Sequence, residues 1–444
     1  MTDKIEFKGY WFLPDKLNNK IAGVLTFIPH ESIVLELIGG FSNNYEEIFS
    51  DIKETKIIHG VTSDAKIITL VSCFPLISRN FSSTFPITKY NCHYLIIGKH
   101  LDSLNDPSFY KASVLFPQLT YWCFPDAINK KIHERVEDGI NSINISFKHY
   151  NNSDENIISE SQIDKNTQFV LKKCVDYNSS NFLLTPHIEQ YTCLEILKQK
   201  DSTIADFLSN IYLYEQFLSM ATLEVVECSK VILFDRDLFH ESNGLKRYNK
   251  IELIYIQSDN EQKHTPTKRH NYLFIYDTIK NQYDGIIKKW FSEKEGIDPI
   301  RTHLIESIKP IRIFTSIDFL IVIQALEGFC WRFRKDELEK IAKYKPQNKQ
   351  ASLGDMICLL KSEFSTISKI NKDYIVIKEV VDSRHYYSHF MEKSKKKNAL
   401  DGVELYLLTR KLRKLLICCL LYFIGFDYYQ INEIFDKCYN KLLE

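Results

Sequence analysis

A chain of 444 residues exceeds what one ordinary core absorbs and is expected to hold two or three domains. Hydrophobic residues at 44% and charged residues at 26% exclude a disordered chain, while 14 glycines and 12 prolines exclude collagen-like, repeat or linker-dominated architecture. The 57 Lys and Arg balance the 57 Asp and Glu, so no whole-chain field marks a binder of nucleic acid or membrane.

The first 125 residues carry short apolar runs of strand-like composition at 33–38, 66–74, 93–97 and 112–116, bounded by turn residues, which predicts a sandwich or barrel. An Asn/Ser/Asp-rich stretch at 151–164 is expected to be a loop or boundary. Strand-like runs resume at 168–175, 225–234, 251–257 and 272–276, interrupted by one amphipathic helix at about 203–223. From about residue 312 the pattern turns helical. Phe319, Ile323, Leu326, Cys330 and Phe333 recur at steps of three or four and share one helical face. Further helices are expected at 353–364, 373–390, 401–423 and 429–443, enough for a compact bundle. The expected fold class is therefore α+β. A β-rich, sandwich- or barrel-like region covers 1–150, a mixed middle region covers 151–304 and continues it, and an all-α domain covers 305–444.

Residues 305–444 hold 24 Lys and Arg against 18 Asp and Glu, leaving 33 against 39 elsewhere. That mild basic excess suits a polyanion, although scatter alone also produces it. The 11 cysteines include no C-x-x-C pair, so they read as reduced, mostly buried thiols rather than a zinc ribbon or thioredoxin motif. Asp3, Lys4 and Glu6 open the chain without an apolar segment behind them, and the longest apolar run, 415–425, is too short to span a bilayer. The expected location is the cytoplasm.

Three N-terminal segments and two C-terminal ones carry a family likeness. Residues 9–41 read GYWFLPDKLNNKIAGVLTFIPHESIVLELIGGF, which gives an aromatic-rich strand, a Leu-Pro turn, a Gly-x-Leu-x-Phe strand and an apolar strand ending in Ile-Gly. This segment, with IIHGVTSDAKIITLVSCF and YKASVLFPQLTYW, resembles the N-terminal domain of the ApeA anti-phage defence proteins. Toward the C-terminus, SIDFLIVIQALEGFCWRFR resembles the first helix of the ApeA-like HEPN domain, with Glu327 as its residue of note. VVDSRHYYSHF supplies Arg384 and His389 as the R-x4-H form of the HEPN signature, with His385 matching the polar residue that often follows the arginine. Residues 126–300 resemble the family only loosely.

The residue types fit RNA cleavage. RNA carries its own nucleophile, the 2′-OH, so the work left is proton transfer and stabilisation of charge on phosphorus, and no metal is strictly required. Histidine, with an unperturbed pKa of about 6.5, takes either protonation state near neutrality. Arginine stays charged and its planar fork meets two phosphate oxygens. Five residues on an ideal helix turn through about 500°, leaving Arg384 and His389 roughly 140° apart. Either the helix ends there or the site needs a second chain. The HEPN resemblance implies a dimer that faces two motifs across a shared cleft, with His389 as acid/base, Arg384 as phosphate clamp and His385 in support. His385 and His389 are four apart, the spacing of two metal ligands, but no glutamate of an H-E-x-x-H motif and no third ligand accompanies them. A structural alternative pairs Arg384 with a carboxylate such as Asp382. Lys393, Lys395, Lys396 and Lys397 form a basic loop that could receive RNA phosphates.

The leading expectation is a cofactor-free endoribonuclease of a bacterial abortive-infection system, toxin-like, with no membrane partner. The resemblance implies transfer RNA as substrate, a homodimer or higher homo-oligomer formed through the HEPN domain, and a β-rich region that senses a phage-derived trigger or restrains the nuclease. The alternative from another class is a non-catalytic HEPN dimerisation module whose β region grips a protein or glycan. A hydrolase using metal at His385 and His389 stands third.

Overall fold

A computed structural model describes residues 4–41, 55–76, 87–126, 128–136, 139–147, 156–178, 187–256, 267–292, 294–309, 316–343 and 350–443. Six antiparallel strands come first: β1 (Ile5–Phe12), β2 (Ile21–Ile28), β3 (Ser32–Ile38), β4 (Thr55–Thr62), β5 (Ile67–Leu76) and β6 (Ile87–Ile97). They pair in the order β6-β3-β2-β1-β4-β5, and β5 pairs again with β6, which closes a barrel. Strict alternation fills it: Ile21, Leu25 and Phe27 of β2 and Ile33, Leu35 and Leu37 of β3 point inward. Trp11 is wholly buried in the barrel's core. Gly60 gives it space, and Gly9 lets β1 lie close to β4. A Cβ on Gly60 would lie 2.4 Å from the indole Cζ3, and one on Gly9 would lie 2.4 Å from the Val61 carbonyl oxygen.

The sheet then continues beyond the barrel. β7 (Phe109–Leu115), the hairpin β8 and β9 (Ile128–Val136, Gly139–Phe147), β10 (Ile157–Gln162), β11 (Thr167–Asn178), β12 (His187–Ser202), β13 (Lys230–Phe234), the hairpin β14 and β15 (Phe239–Ser242, Leu245–Tyr248) and β16 (Ile251–Tyr255) follow in the chain. Outside the two hairpins they extend the order as β10-β11-β12-β7-β13-β16-β6. The helix Ile204–Thr222 crosses this open sheet, started by a capping box between Thr203 and Asp206.

Helices then take over: Tyr276–Ile279, Tyr283–Ser292, Lys294–Ile308, Ser316–Phe333, Lys335–Lys343, Leu353–Glu363, Ser368–Lys372, Ile377–His389, Gly402–Ile424 and Tyr428–Lys437. The α+β class, a barrel followed by a helical region, agrees with the sequence. Four details do not. The helical texture begins at Tyr276, whereas the expected start at 312 lies outside the described residues. Residues 225–229 and 272–275 are irregular chain instead of strand, with Val226, Cys228 and residues 272–274 buried. Their backbone groups are satisfied by other partners: Ser219 Oγ accepts from Val226 N at 2.9 Å, Glu215 Oε1 accepts from Cys228 N at 2.9 Å, and Trp122 Nε1 donates to Phe274 O at 2.9 Å. The polar stretch expected to be a loop contains β10, a half-exposed edge strand with β11 as its neighbour, while 151–155 lie outside the described residues. The last helix stops at Lys437 instead of 443, and the tail turns to the 270–271 loop, Tyr439 N donating to His270 O at 3.0 Å.

One apolar cluster runs from the open sheet through Ile204–Thr222 into the helical bundle, and a second fills the barrel. The helix Lys294–Ile308 runs through residue 304 without a break, and β10 to β12 share a sheet with β1 to β7. Among the described residues no helix is long and apolar enough to cross a membrane.

Candidate functional site

The R-x4-H motif ends the helix Ile377–His389. Val380 and Ser383 face the core, and Ile377 and Tyr387 pack beside them. Phe390 stops the helix in the left-handed region at φ 51°, its ring 91% exposed. The chain then folds back on the same helix as a polar loop. Asn398 donates to Asp382 Oδ2 from Nδ2 at 2.6 Å and from its backbone N at 3.3 Å. Leu400 N donates to the fully buried Ser383 Oγ at 2.9 Å, and Tyr387 Oη donates to Leu400 O at 3.0 Å. These bonds join loop to helix at two successive turns.

On the helix's last turn Arg384 Nη1 lies 2.6 Å from His389 Nε2. Arginine has only N–H donors, so His389 Nε2 presents its lone pair and the proton of the neutral ring sits on Nδ1. Arg384 Nη2 lies 3.5 Å from Glu327 Oε2, on the neighbouring helix Ser316–Phe333, with both side chains partly shielded. Lys396 Nζ reaches back to His385 Nδ1 at 2.8 Å and to Asp382 Oδ1 at 3.7 Å. The His385 and His389 rings stand 5.8 Å apart between centroids, tilted by 41°. Burial, then the Lys396 ammonium and the Arg384 guanidinium, hold the His385 pKa below its ordinary value against the pull of Asp382. Hydrogen bonds from Asn398 hold the Asp382 carboxyl below the usual carboxylate range.

Arg384 and His389 therefore meet within one chain. The helix ends at His389 and the long guanidinium arm covers the remaining angle, so the 140° separation gives no reason for a second chain. The carboxylate that meets Arg384 is Glu327 and not Asp382, which is held by Asn398 and Lys396. Of the four loop lysines, Lys393 pairs with Asp401, Lys395 lies 3.3 Å from Glu392, Lys396 turns inward and Lys397 is exposed. The pairs of Lys393 and Lys395 are solvent-exposed surface pairs, weak enough for a phosphate to displace.

Chemically, the cluster offers an exposed neutral imidazole whose Nε2 lone pair accepts from Arg384, a guanidinium with two of its N–H groups engaged, and a carboxylate that steadies it. Among the described residues no three His, Cys, Asp or Glu side chains gather to hold a metal ion. A cavity of about 380 Å³ between residues 269–282 and 426–437 contains none of the motif residues. Sequence reasoning missed Asp382, Ser383 and Asn398 as the clamp of the loop. The only trace of Asp382 and Ser383 is polarity at positions that helical periodicity assigns to a buried face, and Asn398 leaves none.

Two family models match the chain: ApeA N-terminal domain 1 over residues 6–290, well over half its length, and Apea-like HEPN over residues 320–430. The second contains Glu327, Arg384, His385, His389 and the folded-back loop. No curated protein and no solved structure matches it.

Proposed function

The chain belongs to the ApeA-like proteins, an ApeA N-terminal domain joined to an Apea-like HEPN domain, and from that premise we propose that it is a metal-independent endoribonuclease. The observation that carries this reading is the contact between Arg384 and His389 at 2.6 Å, braced by Glu327, at the exposed end of the motif helix. Once Arg384 turns from His389 to the phosphate, His389 Nε2 is free to take the proton of a ribose 2′-OH, whose oxygen attacks the adjacent phosphorus. Arg384 binds the phosphate oxygens as negative charge builds on them, and the bond to the 5′-oxygen breaks as that oxygen takes the proton that His389 had accepted. The products are a 2′,3′-cyclic phosphate and a 5′-hydroxyl.

The mild basic excess of the helical domain and the displaceable pairs of Lys393 and Lys395, with exposed Lys397, support a polyanionic substrate. Family membership supports transfer RNA as that substrate, an anti-phage role that halts translation, and a homodimer through the HEPN domain, since HEPN domains generally pair. The barrel and open sheet would then carry the sensing or restraining function.

The test is cleavage of RNA by the purified chain in excess EDTA, with the product ends identified. Activity with cyclic phosphate ends is expected, and His389→Ala should abolish it while circular dichroism stays unchanged. Full inhibition by the chelator, reversed by a divalent ion, would replace this mechanism with a metal-dependent one.

A further inference from the structure

We infer that Lys396 is a positioning residue for the reaction proposed above, fixing His385 as a neutral ring whose Nε2–H donates to the RNA phosphate. The inference rests on that nuclease reading for the donation, and on geometry alone for the tautomer. An ammonium can only donate, and Lys396 Nζ sits 2.8 Å from His385 Nδ1. Nδ1 must therefore present its lone pair, which leaves the ring's proton on Nε2. An imidazolium would need a proton on Nδ1 as well, directly against the ammonium, so Lys396 also disfavours the charged form.

Lys396 is itself fixed. Asp382 Oδ1 lies 3.7 Å from its Nζ, and Asn398 holds the other Asp382 oxygen, so one carboxylate ties both the lysine and the loop to the helix. The titratable groups facing His385 are Lys396 from the loop and Arg384, His389 and Asp382 from its own helix. From Ser316–Phe333, Glu327 meets Arg384 instead. The helix Leu353–Glu363 approaches through Gly354 against Ile377 and Val381, which are apolar. Lys396 and Arg384 oppose a proton on His385, and Asp382 favours one. The two histidines of the motif thus take opposite tautomers. His389 shows a lone pair at Nε2, bound by Arg384, and His385 shows an N–H there. A base and an uncharged donor stand side by side, and a lysine that looks like a phosphate contact in the sequence acts through the imidazole.

The test reads the imidazole nitrogens of ¹⁵N-histidine-labelled full chain by NMR, with His385→Asn identifying the signals. In the wild type, His385 should show a protonated Nε2 and an unprotonated Nδ1, and should resist protonation as the pH falls past the ordinary imidazole value of about 6.5. Lys396→Met should release it to mixed tautomers that titrate near that value, and Lys396→Arg should restore the wild-type pattern. In cleavage, Lys396→Met should lower kcat about tenfold, as expected for one lost charge-assisted donor, with little change in KM. Lys396→Arg should recover most of it. A wild-type His385 protonated at Nδ1, or a Lys396→Met spectrum like the wild type, overturns the inference. Should Lys396→Met fail to fold, the wild-type and Lys396→Arg spectra still decide. The expected spectra from a chain that cleaves no RNA would instead refute the nuclease reading and the donation with it, leaving the tautomer assignment in place.

Discussion

Replacing Gly60 with alanine puts a methyl group into the barrel where Trp11 already stands. Its Cβ would lie 2.4 Å from Cζ3 and 2.5 Å from Cε3 of the indole, against 3.4–4 Å for ordinary contact, so about 1 Å must be found. Trp11 is wholly enclosed, and β4 is paired on both edges, Gly60 opposing Trp11 on β1 and Ile68 on β5. Neither side can give way cheaply, so the change should cost about 2–3 kcal/mol, the upper part of the range for overpacking. Trp11→Phe alone should also destabilise, by a similar amount, through the space it leaves. In the double variant the new methyl occupies part of that space, and the two costs should fall short of their sum by at least about 1 kcal/mol. Urea titrations of the four proteins, followed by circular dichroism, measure this coupling. Additivity within about 0.5 kcal/mol, or a Gly60→Ala protein as stable as the wild type, would refute the close-approach account of this glycine.

Two further outcomes follow from buried ionisable groups. Burial raises the Glu215 carboxyl to about 7, so the folded chain holds a proton that the unfolded chain releases near 4.5. Stability from this group is present below about 4.5 and is lost as the pH rises toward about 7; Glu215→Gln should flatten that decline in thermal midpoints, and an unchanged slope would contradict the burial argument. Arg334 forks onto Glu363, Nε to Oε2 at 2.9 Å and Nη2 to Oε1 at 2.6 Å, with side chains only 14% and 15% exposed. Arg334→Met should cost about 3–5 kcal/mol by stranding the carboxylate, and Arg334→Met with Glu363→Gln should recover a clear part of it in the same titrations; a single-variant loss under about 1 kcal/mol would count against a buried pair.

The legible parts of this chain are those where local chemistry and global packing agree. Alternation in β2 and β3 and the i, i+3, i+4 spacing of Phe319, Ile323, Leu326 and Cys330 each mark the buried side of their element. The stretch GYW and the HG of IIHGVT are physically one feature, an indole beside a glycine, although 49 residues separate Trp11 from Gly60. Residues 225–229 and 272–275 misled because apolar content signals burial without saying how the backbone is satisfied, and here long-range partners satisfy it. At the motif, the residue types were readable and their angle was not decisive, because helix geometry places Cα atoms while an arginine arm reaches well past its own turn. Lys396 misled most: a run of lysines announces charge, yet one of its members points at an imidazole.

The sixth strand divides its length between two structures. From Ile87 to Asn91 its free edge is taken by β3, inside the barrel, and from Tyr94 to Ile97 the same edge is taken by β16. All six barrel strands are synthesised by residue 97, so the ribosome can release a barrel that closes early. Four residues of its last strand must then wait for Ile251–Tyr255, and among the described residues nothing else covers that edge. The nascent chain therefore carries a short adhesive margin through about 150 residues of elongation, and completing the sheet is what finally makes the barrel safe from its neighbours.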